Sequence, residues 1–125
     1  MKTIRELIND INMSPQDSRI YFNSWLDDVQ LRKLYITSPD FLEKEPEWKN
    51  IPKERRAFYA GVSHYLAKKC GLAIPEWTYN NQYFLQEPYF SRNAKGKLQL
   101  VLLAESPNEF RVRNIFISAN SLDRV

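Results

Sequence analysis

Residues 52–71, with the sequence PKERRAFYAGVSHYLAKKCG, contain the signals that decide the fold. Pro52 stands where a helix can begin, because the first helical position needs no backbone N–H. Apolar residues then recur at helical spacing, lysines occupy the last turn, and Gly71 suits a left-handed stop. The pattern predicts an α-helix from Lys53 to Cys70. Its buried face is formed by Phe58, Val62, Tyr65 and Leu66.

Two further helix starts precede this segment. Thr3 and Glu6 have the spacing of a capping box, which predicts a short helix over residues 4–11. The serine–proline pair at 14–15 is a second start, because serine caps a helix and proline is tolerated at its first position. The helix that it opens is predicted to reach Ile36.

The predicted helix over residues 14–36 has two apolar faces instead of one. Phe22, Trp25, Leu26 and Val29 share one face at helical periodicity, and Ile20, Leu31 and Leu34 fall roughly opposite. A central helix packed on both sides, or a break near Asp27-Asp28, would explain both faces. Alternatively, the second face is a docking surface, since large exposed apolar patches mark interfaces.

The rest of the chain is expected to alternate short elements with loops. Residues 38–42 repeat the serine–proline start and predict a brief helical turn. Residues 43–56 are rich in charge and proline and read as a surface connection anchored by Trp48.

The C-terminal half differs in composition, with more aromatic and turn-forming residues. Residues 75–90 are aromatic and interrupted by turn formers, so we expect an irregular wrap with one short helix near 81–85. Residues 98–104 fit a buried helix or a buried strand, and we expect the helix. Residues 110–117 suggest a short extended piece that ends in 118–121.

The overall composition favours one folded domain. The chain has 125 residues, of which 43% are hydrophobic and 26% charged, as in ordinary globular proteins. We therefore predict a single domain over residues 1–125 of the mainly α class. It is expected to contain four to six helices, an aromatic-rich irregular C-terminal segment and room for one short strand pair.

Composition also bounds the compartment and the partners. Cys70 is the only cysteine, no apolar signal core opens the sequence, and the longest aliphatic run is Leu100 to Leu103. We expect a cytoplasmic protein without a membrane partner. Residues 1–50 hold 7 basic and 9 acidic side chains, whereas residues 51–125 hold 11 and 6, so the basic half could face phosphate or an acidic protein.

Groups that could carry catalysis are few. His64 is the only histidine, and its spacing of six residues from Cys70 places the two on different faces of a helix, which argues against a nucleophilic pair. One histidine and one cysteine are too few for a zinc site. We therefore expect no catalytic residue, no metal ligand and no cofactor, although an enzyme is not excluded.

The aromatic segment contains one candidate binding site. Trp77 and Tyr79 are followed by the amides of residues 80–82, which together have the composition of a stacking platform for bases, sugars or a partner's side chains. The alternative is that residues 77–90 form a lid over the core.

Two arginines form the other candidate site. If residues 110–116 are extended, alternation sends Arg111 and Arg113 to one side, where they could clamp a carboxylate or a phosphate. The alternative is a pair of structural arginines bonded to helix C-termini or to acidic side chains.

Several strings in the C-terminal half resemble a known group of proteins. They are Pro75-Glu76-Trp77, Leu85-Gln86-Glu87-Pro88-Tyr89-Phe90, Glu105-Ser106-Pro107, Phe110-Arg111-Val112-Arg113-Asn114-Ile115-Phe116 and Leu122. The segment from Ala73 to Val125 resembles small uncharacterised bacterial proteins, some of which carry a helix-turn-helix domain and lie beside nucleotidyltransferase-like toxin candidates. The resemblance implies an antitoxin-like or regulatory partner protein. The N-terminal helices, however, show no convincing recognition helix, which argues against DNA binding.

The expected function is therefore a small protein–protein interaction module. Its partner would be a toxin-like enzyme or a second copy of the chain, and its contact residues would include Leu31, Leu34, Trp77, Tyr79 and the two arginines. The alternative is a nucleic-acid-binding protein that uses the basic half and the aromatic platform.

Overall fold

The computed structural model describes residues 1–118, 121 and 122, except for the side chain of Arg92. In this part of the chain the fold is compact and mainly helical, as predicted, with six α-helices and one short sheet. The helices are α1 (Ile4–Met13), α2 (Ser18–Arg32), α3 (Asp40–Glu43), α4 (Lys53–Lys69), α5 (Lys97–Glu105) and α6 (Asn108–Arg111). Strands β1 (Tyr89–Phe90) and β2 (Ile115–Phe116) pair in parallel. The described helices include none with the length and apolar character needed to cross a bilayer.

Helix α1 begins with the predicted capping box. The Glu6 amide donates to Thr3 Oγ1 at 3.1 Å, and the Thr3 amide donates to Glu6 Oε1 at 3.0 Å. The helix continues two residues beyond the predicted range, to Met13. Its apolar side chains are buried at Ile4, Leu7, Ile8 and Ile11.

The predicted helix over residues 14–36 is divided into three pieces. The Ser14 hydroxyl donates to Asp17 Oδ2 at 2.9 Å instead of capping a backbone amide, and Pro15–Asp17 forms a 3₁₀ turn before α2 begins. A second 3₁₀ turn, Lys33–Tyr35, follows α2. Helix α2 itself is continuous through Asp27-Asp28, so no break re-aims its second half.

Helix α4 lies at the centre of the fold and confirms the first prediction. It spans Lys53–Lys69, and Gly71 adopts the predicted left-handed conformation with φ of 69°. Leu72 then donates to the Ala67 carbonyl at 2.8 Å, which closes the C-terminal cap. Gly61 in the middle of α4 lets the Phe110 side chain pack directly against the helix backbone, because a Cβ atom at this position would lie 2.7 Å from the Phe110 ring.

The C-terminal wrap contains the predicted strand pair and a series of short turns. The 3₁₀ turns are Glu76–Tyr79, Asn81–Tyr83 and Ser91–Asn93. Residues 97–105 form the expected helix, α5. The extended piece is shorter than predicted: residues 108–111 are helical, because the Pro107 carbonyl accepts from the amides of Phe110 and Arg111. The predicted end of this piece includes residues 119 and 120, which lie outside the described residues.

The main hydrophobic core joins both halves of the chain. It includes buried residues from Ile4 to Leu122 and contains many aromatic contacts. Phe22 of α2, for example, lies 5.5 Å from Phe58 and 5.8 Å from Tyr59 between ring centroids. A second, smaller cluster lies beneath α5. It consists of Ala94, Leu102 and Phe116, with Phe90 packed against them.

Candidate interaction surfaces

The second apolar face of α2 lies on the molecular surface. The inner face of the helix is buried in the core, whereas Leu31 and Leu34 are 81% and 87% exposed. Ile20, which shares a face of α2 with Leu31 at helical periodicity, and Tyr35, which lies with Leu34 in the 3₁₀ turn after α2, are also exposed. The interpretation as a central helix packed on both sides is therefore wrong. We call Ile20, Leu31, Leu34 and Tyr35 the α2 outer face.

A cleft of about 410 Å³ adjoins this surface between α1 and α2. Leu7 and Trp25 contribute apolar wall, and Leu31 connects the cleft to the α2 outer face. The Trp25 indole is fixed because its Nε1 donates to the Lys2 carbonyl at 2.8 Å. The cleft thus has a rigid apolar wall that opens beside exposed leucine.

The polar lining of the cleft is mainly acidic. It includes Asp10, Asp27 and Asp28, with Lys2 as the only basic side chain among its lining residues. Lys2 is paired with Asp10, and Asp28 accepts from Arg32 Nε at 3.0 Å. With Arg32 counted, three carboxylates face two cations, and the remaining net charge of −1 at this rim favours a partner that brings a cationic group.

The predicted clamp of Arg111 and Arg113 does not form. Arg111 is exposed, and its Nη2 donates to the Ala104 and Ser106 carbonyls at 3.2 Å each, where α5 ends. Arg113 is fully buried, since its relative exposure is 0%. The expectation of two arginines on one surface is wrong because Arg111 ends α6 and the chain then turns through residues 112–114 instead of running as an extended strand. The alternative of structural arginines describes the observed contacts.

Arg113 joins three elements inside the fold. Its Nη2 donates to the Thr78 carbonyl at 2.7 Å, and its Nη1 donates to the Glu109 carbonyl at 2.8 Å. Its guanidinium also lies 4.8 Å from the centroid of the Phe84 ring. Burial lowers the pKa of Arg113 to about 10. This side chain therefore holds α6 and the wrap against α4, and its role is within the fold.

His64 lies against this arginine, with Tyr79 edge-on to its ring at 5.6 Å between centroids. Burial and then the positive charge of Arg113 lower the pKa of His64. Burial opposes ionisation of the nearby Glu109, but the hydrogen bond and charge of Lys68, a backbone hydrogen bond and the charge of His64 together outweigh it and leave the pKa of Glu109 below its usual value. Arg113, His64, Glu109 and Lys68 are thus linked to one another by hydrogen bonds and an ion pair.

The aromatic platform is divided between core and surface. Trp77 packs against the core and donates from Nε1 to the Leu42 carbonyl at 2.9 Å, so its side chain behaves as the lid alternative predicts. Tyr79 is exposed beside His64. Asn80 accepts from the Gln82 amide at 3.1 Å and thereby caps the following turn. These residues do not present one continuous stacking surface.

Helix α5 is a surface that sequence reasoning missed. Four of its five aliphatic residues, Leu98, Leu100, Val101 and Leu103, are exposed, and only Leu102 is buried. An apolar helix of this kind is ordinarily buried, which is why residues 98–104 were expected to lie in the core. Hydrophobic periodicity does not predict that α5 is exposed, because a helix that is apolar on all sides has the same sequence pattern whether its own chain or a second chain covers it.

Within the described part of the chain, no three His, Cys, Asp or Glu side chains are placed to hold a metal ion. No family model, curated protein or solved structure matches the sequence or fold of this chain. The geometry of its surfaces must therefore carry any functional inference.

Proposed function

We propose that this protein is a non-catalytic, cytoplasmic interaction module that binds a partner protein through the α2 outer face. The observation that carries the proposal is the exposure of Leu31, at 81%, on a helix whose opposite side is packed, and of Leu34, at 87%, in the 3₁₀ turn that follows this helix. Single exposed leucines are common, but grouped apolar side chains beside a cleft are typical of protein interfaces.

The energetics support this role for the α2 outer face. Removing one leucine side chain from water is worth about 1.5–3 kcal/mol. Leu31 and Leu34 contribute little of that to this fold, because they are almost as exposed as in an unfolded chain. A partner that covers them recovers this free energy on binding, and Tyr35 adds an aromatic ring of the kind enriched in interfaces.

The neighbouring cleft indicates the chemistry of the partner. Because Leu7 and Trp25 are almost fully buried, an apolar side chain of the partner would pack on Leu31 and Tyr21, and a lysine or arginine next to it would meet the acidic rim. We therefore propose a partner segment in which an apolar anchor lies beside a basic residue.

The resemblance of the C-terminal half to antitoxin-like proteins suggests a regulatory use for such a module. A protein that covers a basic surface of a toxin-like enzyme would need an apolar contact bordered by acid, and the cleft has this composition. The antitoxin-like role is part of the proposal.

The test is capture of partners from the native cell with three forms of the protein as bait. They are the wild type, the double variant Leu31→Lys/Leu34→Lys, and the matched variant Met13→Lys. Met13 is 89% exposed at the end of α1, so it provides an equally accessible apolar site. A partner retained by the wild type and by Met13→Lys, lost with the double variant, and bound directly after purification supports the proposal.

A nucleic-acid partner would give a different result. It would survive Leu31→Lys/Leu34→Lys, and its binding would fall steeply with salt because phosphate contacts release counterions. That outcome would contradict the proposed role of the α2 outer face. Burial of Arg113 leaves the nucleic-acid alternative with one fewer surface cation than the sequence suggested.

A further inference from the structure

Helix α5 buries only a small part of its apolar surface against the rest of the described chain. It spans nine residues, or about 13 Å at the α-helical rise. Leu102 is the only one of its aliphatic side chains that is buried, against Phe116 and Ala94. Helices of this length are marginal in water without packing. A covering surface would therefore stabilise α5 as well as remove its aliphatic side chains from water.

The exposed side of α5 has the spacing of a helix-packing ridge. Lys97, Leu100, Val101 and Ala104 follow one another at intervals of three, one and three residues, and all four are exposed. Leu100 is the most exposed aliphatic residue of the helix, at 66%. Ala104 is small enough to let a second helix approach closely. The ridge thus favours a helix as the occupant.

The charges at the two ends of α5 select which helix would fit. Lys97 is the first residue and Glu105 the last, so each charge lies at the end of the helix dipole that disfavours it. An antiparallel second helix with the same sequence would reverse both relationships. It would place a glutamate near the N-terminus of α5 and a lysine near its C-terminus.

We propose that α5 packs antiparallel against α5 of a second copy of this chain, around a twofold axis near Val101. With the axis at this residue, Lys97 of each copy lies opposite Glu105 of the other, since both are four residues from Val101. Such an interface is isologous and closes as a dimer. Glu105 already has an interaction within its own chain, and its carboxylate has acceptor sites for a second donor.

The dimer is expected to be weak. A single short helix from each copy covers less surface than a stable interface of standard size requires. Association should therefore depend on protein concentration, with monomer predominating in dilute solution. This dimer does not depend on the proposed partner contact, because that contact uses a different helix.

Sedimentation over a wide range of protein concentration tests the proposal. The wild type should shift from monomer to dimer, whereas Val101→Lys, which places two lysines at the axis, should weaken association by roughly tenfold or more. Leu31→Lys changes an exposed aliphatic residue on α2 and should associate as the wild type does. A wild type that stays monomeric throughout, or equal losses in both variants, would overturn the proposal.

Charge reversal tests the antiparallel register directly. Lys97→Glu or Glu105→Lys alone places like charges opposite each other twice, so each should weaken the dimer by roughly tenfold. A mixture of the two single variants should associate again, because each copy then meets the opposite charges. The double variant Lys97→Glu/Glu105→Lys should also associate. Failure of both recoveries would exclude this register and with it the proposed dimer.

Discussion

Nη1 of Arg113 lies 3.0 Å from Nδ1 of His64, so the turn after α6 is joined to the middle of α4. An arginine side chain can only donate, and Nδ1 must therefore be the acceptor and carry no proton. The same guanidinium bonds the Thr78 and Glu109 carbonyls. One buried cation thus organises the contact between the central helix and the C-terminal wrap, and its neighbour is the only histidine in the chain.

Acidification should weaken the fold through His64. Its pKa is lowered from 6.5 by burial and by Arg113, so the unfolded chain binds this proton before the folded chain does. The stabilising contribution is complete above pH 6.5 and is lost as the pH falls through the folded pKa. Urea unfolding between about pH 7 and pH 5 should show this decline.

The variant His64→Asn is the control for this effect. Its side-chain oxygen can accept from Arg113 but does not titrate, so the decline in stability over that pH range should shrink. The neighbouring Glu109 carboxylate keeps its charge in this window, because its pKa is lowered from 4.5. An identical pH dependence in both proteins would show that His64 does not titrate against Arg113.

Replacement of the two arginines should separate their roles. Arg113→Met leaves two carbonyls without their donor, so we expect a loss of about 2–4 kcal/mol in the free energy of unfolding. Arg111→Met removes an exposed side chain and should change it by about 0.5 kcal/mol or less. Chemical denaturation of both variants measures the difference. Equal losses would contradict the assignment of Arg113 as the internal link.

Gly61→Ala should destabilise the protein even though alanine is the better helix former. The added Cβ would lie 2.7 Å from the Phe110 ring, and overpacking of this kind costs about 1–3 kcal/mol. The gain in helix propensity is about 1 kcal/mol at most. The same substitution in a Phe110→Leu background should cost less, because the smaller side chain frees space. Thermal unfolding of the four proteins in this cycle would reveal the coupling.

Several of these features could be predicted from the sequence because their causes are local. The capping box of Thr3 and Glu6 and the stop at Gly71 depend on residues within one or two turns. The two faces of α2 were visible for the same reason, since helical periodicity places Leu31 and Leu26 on different sides. Because these signals depend on residues close together in the sequence, the sequence alone predicts the helical class and the longest helices.

The errors arose where distant segments decide the outcome. Arg113 is buried by Thr78, 35 residues earlier, and by His64, 49 residues earlier, and no local pattern specifies either contact. The sequence does not predict the exposure of α5, because apolar residues indicate that a helix is buried but not whether its own chain or another chain buries it. At residue 14 the Ser14 hydroxyl bonds to Asp17 instead of a backbone amide, and α2 begins only at Ser18.

The α2 outer face should contribute little to stability. Leu31→Ser and Leu34→Ser are expected to change the free energy of unfolding by about 0.5 kcal/mol or less. Leu26 lies on the buried side of the same helix, and Leu26→Ala should cost about 2–5 kcal/mol. Urea denaturation of the three variants gives the comparison. Large losses at positions 31 and 34 would mean that the core uses these side chains.

Photo-crosslinking in the native cell, from a reactive residue placed at position 34, tests directly whether a partner protein covers the α2 outer face. Position 13 serves as the control, because Met13 is equally exposed at the other end of the α1–α2 pair. We predict one dominant protein adduct from position 34, absent from position 13 and abolished by Leu31→Lys. No adduct from position 34, or the same adducts from both positions, would contradict this prediction.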